Sequence, residues 1–397
     1  MPRDPRELAP TQDLLARTSD WLIRDARFLP DNKEILEHFC ERVSAAGIPI
    51  DRVSLHQLAF HPQYRGVARV WWSDKPMDEL FFDHGIEKTA TYLQNPLRPV
   101  IEEGRKVEWR LDGNTDDFPY PILNDLRHQG FTHYAIAPLK YAVGITNGFS
   151  WATKRAGGFT ADEMRFFHGI LDPYAAVAEL KALRRFIGSM LTTYVGAEAG
   201  KLILDGQVQR GDTHAIKAAL MLFDLRDFTL MSDRLSPRAV IRTLNQYFDC
   251  VIPPVRQHGG EVVEIMGDGV LAMFQHGPDN TAAEACDSAL AAATDGLAAL
   301  EDRNRRHPAT PLRAGVALHY GAVSYGNIGS DNRLDFTVIG PDVNLTSRIE
   351  RLCRELDRQL ITSEVFADTL HRPMWEIGHF ELRGFAKMQR LFELPPV

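Results

Sequence analysis

Cysteine is scarce in this chain: four residues in 397, Cys40, Cys250, Cys286 and Cys353, with no CxxC pair. That spacing excludes a disulfide framework and a zinc knuckle, and predicts buried, reduced thiols. No run of about 18 apolar residues occurs, so no membrane-spanning helix is expected. A basic excess is missing too. The chain has 45 Lys and Arg against 53 Asp and Glu, a net charge of −8. That is the wrong sign for a dedicated nucleic-acid binder. Met1-Pro2-Arg3-Asp4-Pro5-Arg6 leads into no apolar stretch, so no secretory signal is expected and the cytoplasm is the expected compartment. Internal repeats and low-complexity tracts are absent. What remains is 44% hydrophobic and 25% charged, the composition of folded soluble protein and not of a fibre or a disordered chain. The length suggests two or three domains.

Residues 1–30 read as a polar extension with a short amphipathic piece, Leu14, Leu15, Trp21, Leu22 and Ile23. A first domain, 31–174, opens with a helix over 32–46, spaced by Ile35, Leu36, Phe39 and Val43. Strands are predicted at 52–60, 66–72, 80–82, 131–139 and 147–153 from β-branched and aromatic content. Thr160 and Glu163 form a capping-box pattern, so a helix starts near Ala161 and runs towards Leu191, with a break expected near Pro173. Residues 175–211 read as a helical transducer ending in a glycine-rich linker from Tyr194 to Gly211. The rest, 212–397, changes character. Ile216–Phe223 is nearly all apolar, the mark of a strand buried on both faces. A helix at 237–257, a tight hairpin around Gly267-Asp268-Gly269, a helix at 281–304, strands at 312–319 and 334–339, and a helix at 342–356 follow. The order β-α-β-β-α-β is ferredoxin-like, so the fold class is α+β.

The chemistry concentrates in this second half. Asp224, in Phe223-Asp224-Leu225-Arg226-Asp227-Phe228-Thr229, sits where a buried strand turns into a helix. A carboxylate beside free backbone N–H groups there suits a metal-bound phosphate. Asp268 sits on the hairpin that would flank the same strand. Two such aspartates repel unless a divalent cation lies between them, and Mg²⁺ favours one or two carboxylates plus phosphate oxygens. Read singly, each aspartate is equally a helix cap or a turn residue. Asn344 and Arg348 stand four apart, on one face of a helix. An amide and a guanidinium so placed can orient a ribose and neutralise charge on a phosphoryl group. Arg313 starts another strand of the sheet; read singly, either arginine is equally a solvated or salt-bridged surface group.

Four segments now stand in register: F-D-L-R-D-F-T, G-G-E-V-V-E-I-M-G-D-G-V-L-A-M-F, L-R-A-G-V-A-L-H-Y-G and D-F-T-V-I-G-P-D-V-N-L-T-S-R. In order and spacing, residues 216–394 resemble the class III adenylate/guanylate cyclases. The resemblance implies two divalent metal ions, Mg²⁺ or Mn²⁺, held by Asp224, Asp268 and the backbone carbonyl of Leu225. It implies Arg313 on the phosphates, Asn344 and Arg348 at the transition state, and Phe228 and Thr229 at the nucleotide. It implies a head-to-tail homodimer whose two sites each draw metal aspartates from one subunit and Asn344 and Arg348 from the other. The substrate would be ATP or GTP, cyclised with loss of pyrophosphate.

Three positions depart from the family pattern. Asp227 replaces a usual glycine; it either adds a negative charge near the phosphates or caps the following helix, and capping is the expectation. Phe385 falls where many members carry a phosphate-binding lysine, leaving Lys387, Arg383 or neither to serve. The purine-reading positions hold Glu264 and Thr337, a mixed pair. Glutamate is frequent in GTP-specific relatives and threonine in ATP-specific ones; ATP is named first because bacterial members favour it.

In the first half, Phe131–Leu139, Gly148–Thr153 and Gly158-Phe159-Thr160 resemble a GAF sensor domain. That resemblance implies an unidentified small-molecule or other signal, with Trp71, Trp72, Phe81, Phe82, Trp109, Phe131 and Tyr134 as candidate pocket residues or simply core. His56/His61 and His128/His133 have loose metal-ligand spacing, but no cysteine accompanies them and no metal is assigned there. Two rival readings stand beside this one. Gly259-Gly260-Glu261 faintly resembles a diguanylate cyclase signature, but it ends a helix here instead of forming a hairpin turn. A non-catalytic nucleotide-binding module would not need Asp224, Asp268, Asn344 and Arg348 together.

Overall fold

The computed structural model describes residues 10–58, 61, 64–113 and 118–395. The chain divides into two compact units after Met190. The N-terminal unit contains α1 (Pro10–Arg24), α2 (Asn32–Ala45), β1 (Arg52–Leu58), β2 (Gly66–Trp72), β3 (Asp78–Phe82), α3 (Ala90–Leu93), α4 (Leu97–Glu103), β4 (Val107–Arg110), α5 (Pro121–His128), β5 (His133–Lys140) and β6 (Thr146–Thr153). Its antiparallel sheet has the order β3-β2-β1-β6-β5-β4. One face packs on α1, α2 and α6 (Ala161–Val195), with Phe39, Phe149, Trp151, Phe167 and Tyr174 at its centre. The other face is covered by Val100, Leu123 and Leu126 from α4 and α5. The first strand was expected to reach 60; residues 59 and 60 lie outside the described residues.

Several expectations change here. Trp21, Leu22 and Ala26, from the stretch read as an extension, are buried in the main core. The capping box at the start of α6 forms: Thr160 N–H donates to Glu163 at 2.7 Å and Glu163 N–H to Thr160 Oγ1 at 3.3 Å. α6 does not break at Pro173. Ile170, Leu171, Tyr174, Ala175, Val177 and Ala178 are all buried around the proline, and packing outweighs the lost backbone hydrogen bond. The candidate pocket aromatics divide among several places, and Phe82 lines a cavity with Val67, Tyr92 and Leu97. Trp72, Trp109, Phe131 and Tyr134 belong to the second core, Trp71 packs on the first, and Phe81 is exposed.

The C-terminal unit contains α7 (Ala197–Leu204), β7 (Thr213–Leu225), α8 (Phe228–Arg234), α9 (Pro237–Gln257), β8 (Glu261–Met266), β9 (Gly269–His276), α10 (Ala282–Arg306), β10 (Ala314–Ser330), β11 (Arg333–Ile339), α11 (Pro341–Glu355), β12 (Leu360–Ser363), α12 (Glu364–Thr369), β13 (Trp375–Phe380) and β14 (Gln389–Glu393). α7 lies within the stretch read as a linker, and Ala199 on it is fully buried against the sheet. The sheet order is β13-β14-β12-β10-β7-β9-β8, with β11 paired to β10. Its central run β10-β7-β9-β8 is the antiparallel ferredoxin-like arrangement expected from the element order. β7 alternates as a doubly buried strand must. Ala219, Met221, Phe223 and Leu225 face the core beneath α9 and α10, while Ala218, Leu220 and Leu222 face the opposite core. At Gly296 of α10 a Cβ would lie 2.9 Å from the Phe223 ring, so the helix meets β7 at backbone distance. α10 starts from a complete capping box, Thr281 with Glu284, worth about 1 kcal/mol. Among the described residues, no helix is long and apolar enough to cross a membrane.

Candidate active site

Asp224 lies at the end of β7, paired with Gly315 of β10 and one residue beyond the Phe223–Val270 pair with β9. The β8–β9 turn consists of Gly267 and Asp268, and Gly267 takes a φ of 67°, which glycine adopts without strain. The short turn brings Asp268 to the same sheet edge as Asp224. Burial raises the pKa of both carboxyls, and the Asp224 charge raises that of Asp268 further. Such a pair gains by binding a cation. Here an arginine supplies the charge: Arg354 Nη2 stands 2.9 Å from Asp224 Oδ1.

Arg354 and Glu350 are site residues that the motif reading missed. Both lie on α11, one turn apart. Gly315 lets α11 come close, since a Cβ there would lie 3.0 Å from Cys353 Cβ and 3.1 Å from Glu350 Oε1. Burial first, and then the Asp224 charge, push the Glu350 carboxyl up to about 7. Among the described residues, no group of three or more His, Cys, Asp or Glu side chains could hold a metal ion. Two facing aspartates fit a cation that takes its remaining ligands from phosphate and backbone oxygens.

Asn344 and Arg348 do not join the aspartates. The N-terminus of α11 is fixed by Asp342, which accepts from Ala322 N–H at 2.7 Å and lies 3.3 Å from His319. At about 100° per residue, Asn344 and Arg348 point roughly 120° away from Glu350 and Arg354. Exposed Asn344 and partly exposed Arg348 therefore face away from this chain's own Asp224. Glu264 and Thr337 do meet: the Thr337 hydroxyl lies 3.1 Å from Glu264 Oε2.

Arg313 is exposed and bonded to Asp357 at 2.5 Å. Phe228 packs partly buried on the sheet core, and Thr229 is exposed beside it on α8. Asp227 corrects an expectation. It holds the position before α8, but its side chain makes no capping bond, and its φ is 59°. Left-handed backbone, which glycine adopts most readily, is what this turn requires. Phe385 packs against the Leu345, Ile349 and Leu382 cluster, while Lys387 and Arg383 are exposed. Glu261 accepts from Glu198 N–H at the start of α7 at 3.1 Å. The Gly-Gly-Glu sequence thus serves a helix end and a strand start, with Gly259 at φ 76°.

Residues 212–391 match the family model described as the adenylate and guanylate cyclase catalytic domain. The adenylate cyclase of Anabaena cylindrica is 31% identical over 173 residues, 42% of this chain and 33% of that protein. Adenylate cyclase 1 of Rhizobium meliloti is 32% identical over 145 residues, 36% of this chain and 22% of that protein. The chain thus spans a third or less of the length of these two curated relatives. The solved adenylyl cyclase CyaB from P. aeruginosa superposes with a TM-score of 0.43 at 22% identity, covering 47% of this chain and 97% of that one.

Proposed function

We propose, from the match of residues 212–391 to the family model of the adenylate and guanylate cyclase catalytic domain, that this protein is a sensor-regulated nucleotidyl cyclase. It converts ATP to 3′,5′-cyclic AMP and pyrophosphate. The observation that carries the reading is the pairing of Asp224 and Asp268 at one sheet edge, with burial holding both carboxyls above their ordinary range. Asp224, Asp268 and the Leu225 carbonyl would hold divalent cations, Mg²⁺ or Mn²⁺. When bound, such ions acidify the ribose 3′-hydroxyl and offset triphosphate charge. Arg313 takes the polyphosphate and Asn344 orients the ribose. The 3′-oxygen bonds to the α-phosphorus in line, and the bond to the β-phosphate oxygen breaks. Arg348 faces the charge that grows on the phosphoryl oxygens, a contribution on the order of 3–4 kcal/mol for one such donor.

The outward orientation of Asn344 and Arg348 supports a head-to-tail homodimer, each site completed by the other subunit. ATP is named because both curated relatives described above are adenylate cyclases. A second reading, GTP to cyclic GMP, is favoured by Glu264, whose carboxylate accepts hydrogen bonds and donates none. The N-terminal unit takes the role of sensor, for a small-molecule or other signal. Four unpaired, buried thiols suit a cytoplasmic protein. Incubating the purified full chain with Mn²⁺ and either ATP or GTP, and identifying the product by mass, tests the reading. Cyclic nucleotide with release of pyrophosphate is expected; intact nucleotide from both incubations would refute it.

A further inference from the structure

Arg226 follows directly on the metal-binding segment, and nothing in the chemistry above uses it. Its side chain is only 6% exposed. Nη1 donates to Asp357 Oδ1 at 2.5 Å, and Nη2 donates to the carbonyl of Cys353 at 2.9 Å and to that of Arg358. Its backbone N–H donates to the Arg313 carbonyl at 2.8 Å. The buried side chain thus ties the end of β7 to the end of α11, and the backbone N–H ties the same residue to Arg313, just before β10.

Asp357 is the carboxylate that answers this buried charge. It stands just past α11 at a φ of 51°, with its side chain 76% exposed. The same Oδ1 also accepts from Arg313 Nη2, again at 2.5 Å. Between two exposed side chains such a pair would count for little. This one differs because Asp357 is anchored from below. A buried guanidinium is costly without a counter-charge, so Arg226 holds Asp357 in place. Asp357 in turn restrains Arg313, whose long side chain otherwise loses rotamer freedom on meeting a ligand.

We propose that Arg226 and Asp357 are positioning residues: buried Arg226 fixes Asp357, and Asp357 presents the Arg313 guanidinium to the polyphosphate of the nucleotide. The proposal rests on the cyclase reading. A planar guanidinium held by one edge keeps its other N–H groups for phosphate oxygens. Arg226 also ties that presentation to the end of β7, which carries Asp224 and Leu225.

The test is a double-mutant cycle in the full-length protein, with rates measured against nucleotide concentration at saturating Mn²⁺. Asp357→Asn keeps the shape and tolerates left-handed backbone. It should raise KM about tenfold, one charge-assisted contact's worth, with kcat changing less. In an Arg313→Ala background the same substitution should have no further effect on KM. If Asp357→Asn lowers the unfolding midpoint below the assay temperature, Arg226→Lys takes its place. It keeps the buried charge but loses the fork, and must raise KM only when Arg313 is present. A fall in KM would make Asp357 a competitor of phosphate and overturn the proposal. Independent, multiplying losses would overturn it as well. A wild-type chain that makes no cyclic nucleotide overturns this proposal together with the cyclase reading. An active wild type with independent losses overturns this one alone.

Discussion

The Thr337 hydroxyl donates to the Glu264 carboxylate across β11 and β8, 3.1 Å apart. The donor is thereby spent within the protein, and the carboxylate keeps acceptor capacity for a ligand. Guanine offers N1–H and N2–H₂ to such an acceptor; adenine offers only N6–H₂ and sets its N1 lone pair against it. Glu264→Lys should shift the ratio of kcat/KM values towards ATP by at least about tenfold. Competition assays with both nucleotides read this directly. An unchanged ratio in an active variant would mean that the base is read elsewhere.

Asp224→Ala and Asp268→Ala should each abolish turnover and leave the unfolding transition near that of the wild type. Asp224 is partly exposed at a sheet edge, not a core residue. Mn²⁺ titration by paramagnetic resonance should show weakened binding in both. Residual activity within about tenfold of wild type, some 1.4 kcal/mol, contradicts the metal assignment.

Asp224→Ala and Arg348→Ala subunits are each expected to be inactive alone and to recover activity when mixed. In a mixed dimer one of the two sites keeps both Asp224 and Arg348. Confirmed dimers that exchange subunits and stay inactive would refute the shared site.

Much of this site was legible in the sequence because its backbone demands are local. A two-residue turn at Gly267-Asp268 and a doubly apolar strand ending in Asp224 leave little freedom for either aspartate. Glu264 and Thr337 were paired through the family resemblance, and their direct contact is a finding of the structure. Glu350, Arg354 and Asp357 were not legible. Their relation to Asp224 and Arg313 depends on how closely α11 approaches β10, and that is set by the missing side chain of Gly315 in a distant segment. Asp227 misled for a different reason. Composition at a helix start suggested a cap, whereas the turn needed a left-handed residue. In the N-terminal unit the helix was expected to yield at Pro173, but packing on both sides of it prevailed.

His56 should make the N-terminal unit sensitive to acid. Its Nε2 lies 2.9 Å from the Ser54 hydroxyl. Burial, and then the Arg52 charge, push its pKa from the ordinary 6.5 down to about 3. The folded ring is neutral, so its contribution is whole above pH 6.5 and is lost as pH falls towards 3. Between pH 6.5 and 5 the loss is about 2 kcal/mol. Five of the six tryptophans lie in this unit, so fluorescence-detected urea unfolding follows it. His56→Gln should flatten the dependence over that range; an identical slope in the variant would contradict the assignment.

The contact between Gly296 and the Phe223 ring gives the sheet edge that carries Asp224 a mechanical tolerance. Asp224 is the next residue after Phe223, and the helix behind that ring sits as deep as a bare backbone allows. A single methyl group at position 296 has less than 3 Å of space before the ring, so the ring or the helix has to give way. The placement of the Asp224 carboxylate, the proposed metal ligand, is therefore set in part from the interior, by the depth at which α10 sits on β7. A side chain at position 296 would thus act on Asp224 from behind the sheet, through the Phe223 ring, with the groups proposed to meet the nucleotide left as they are.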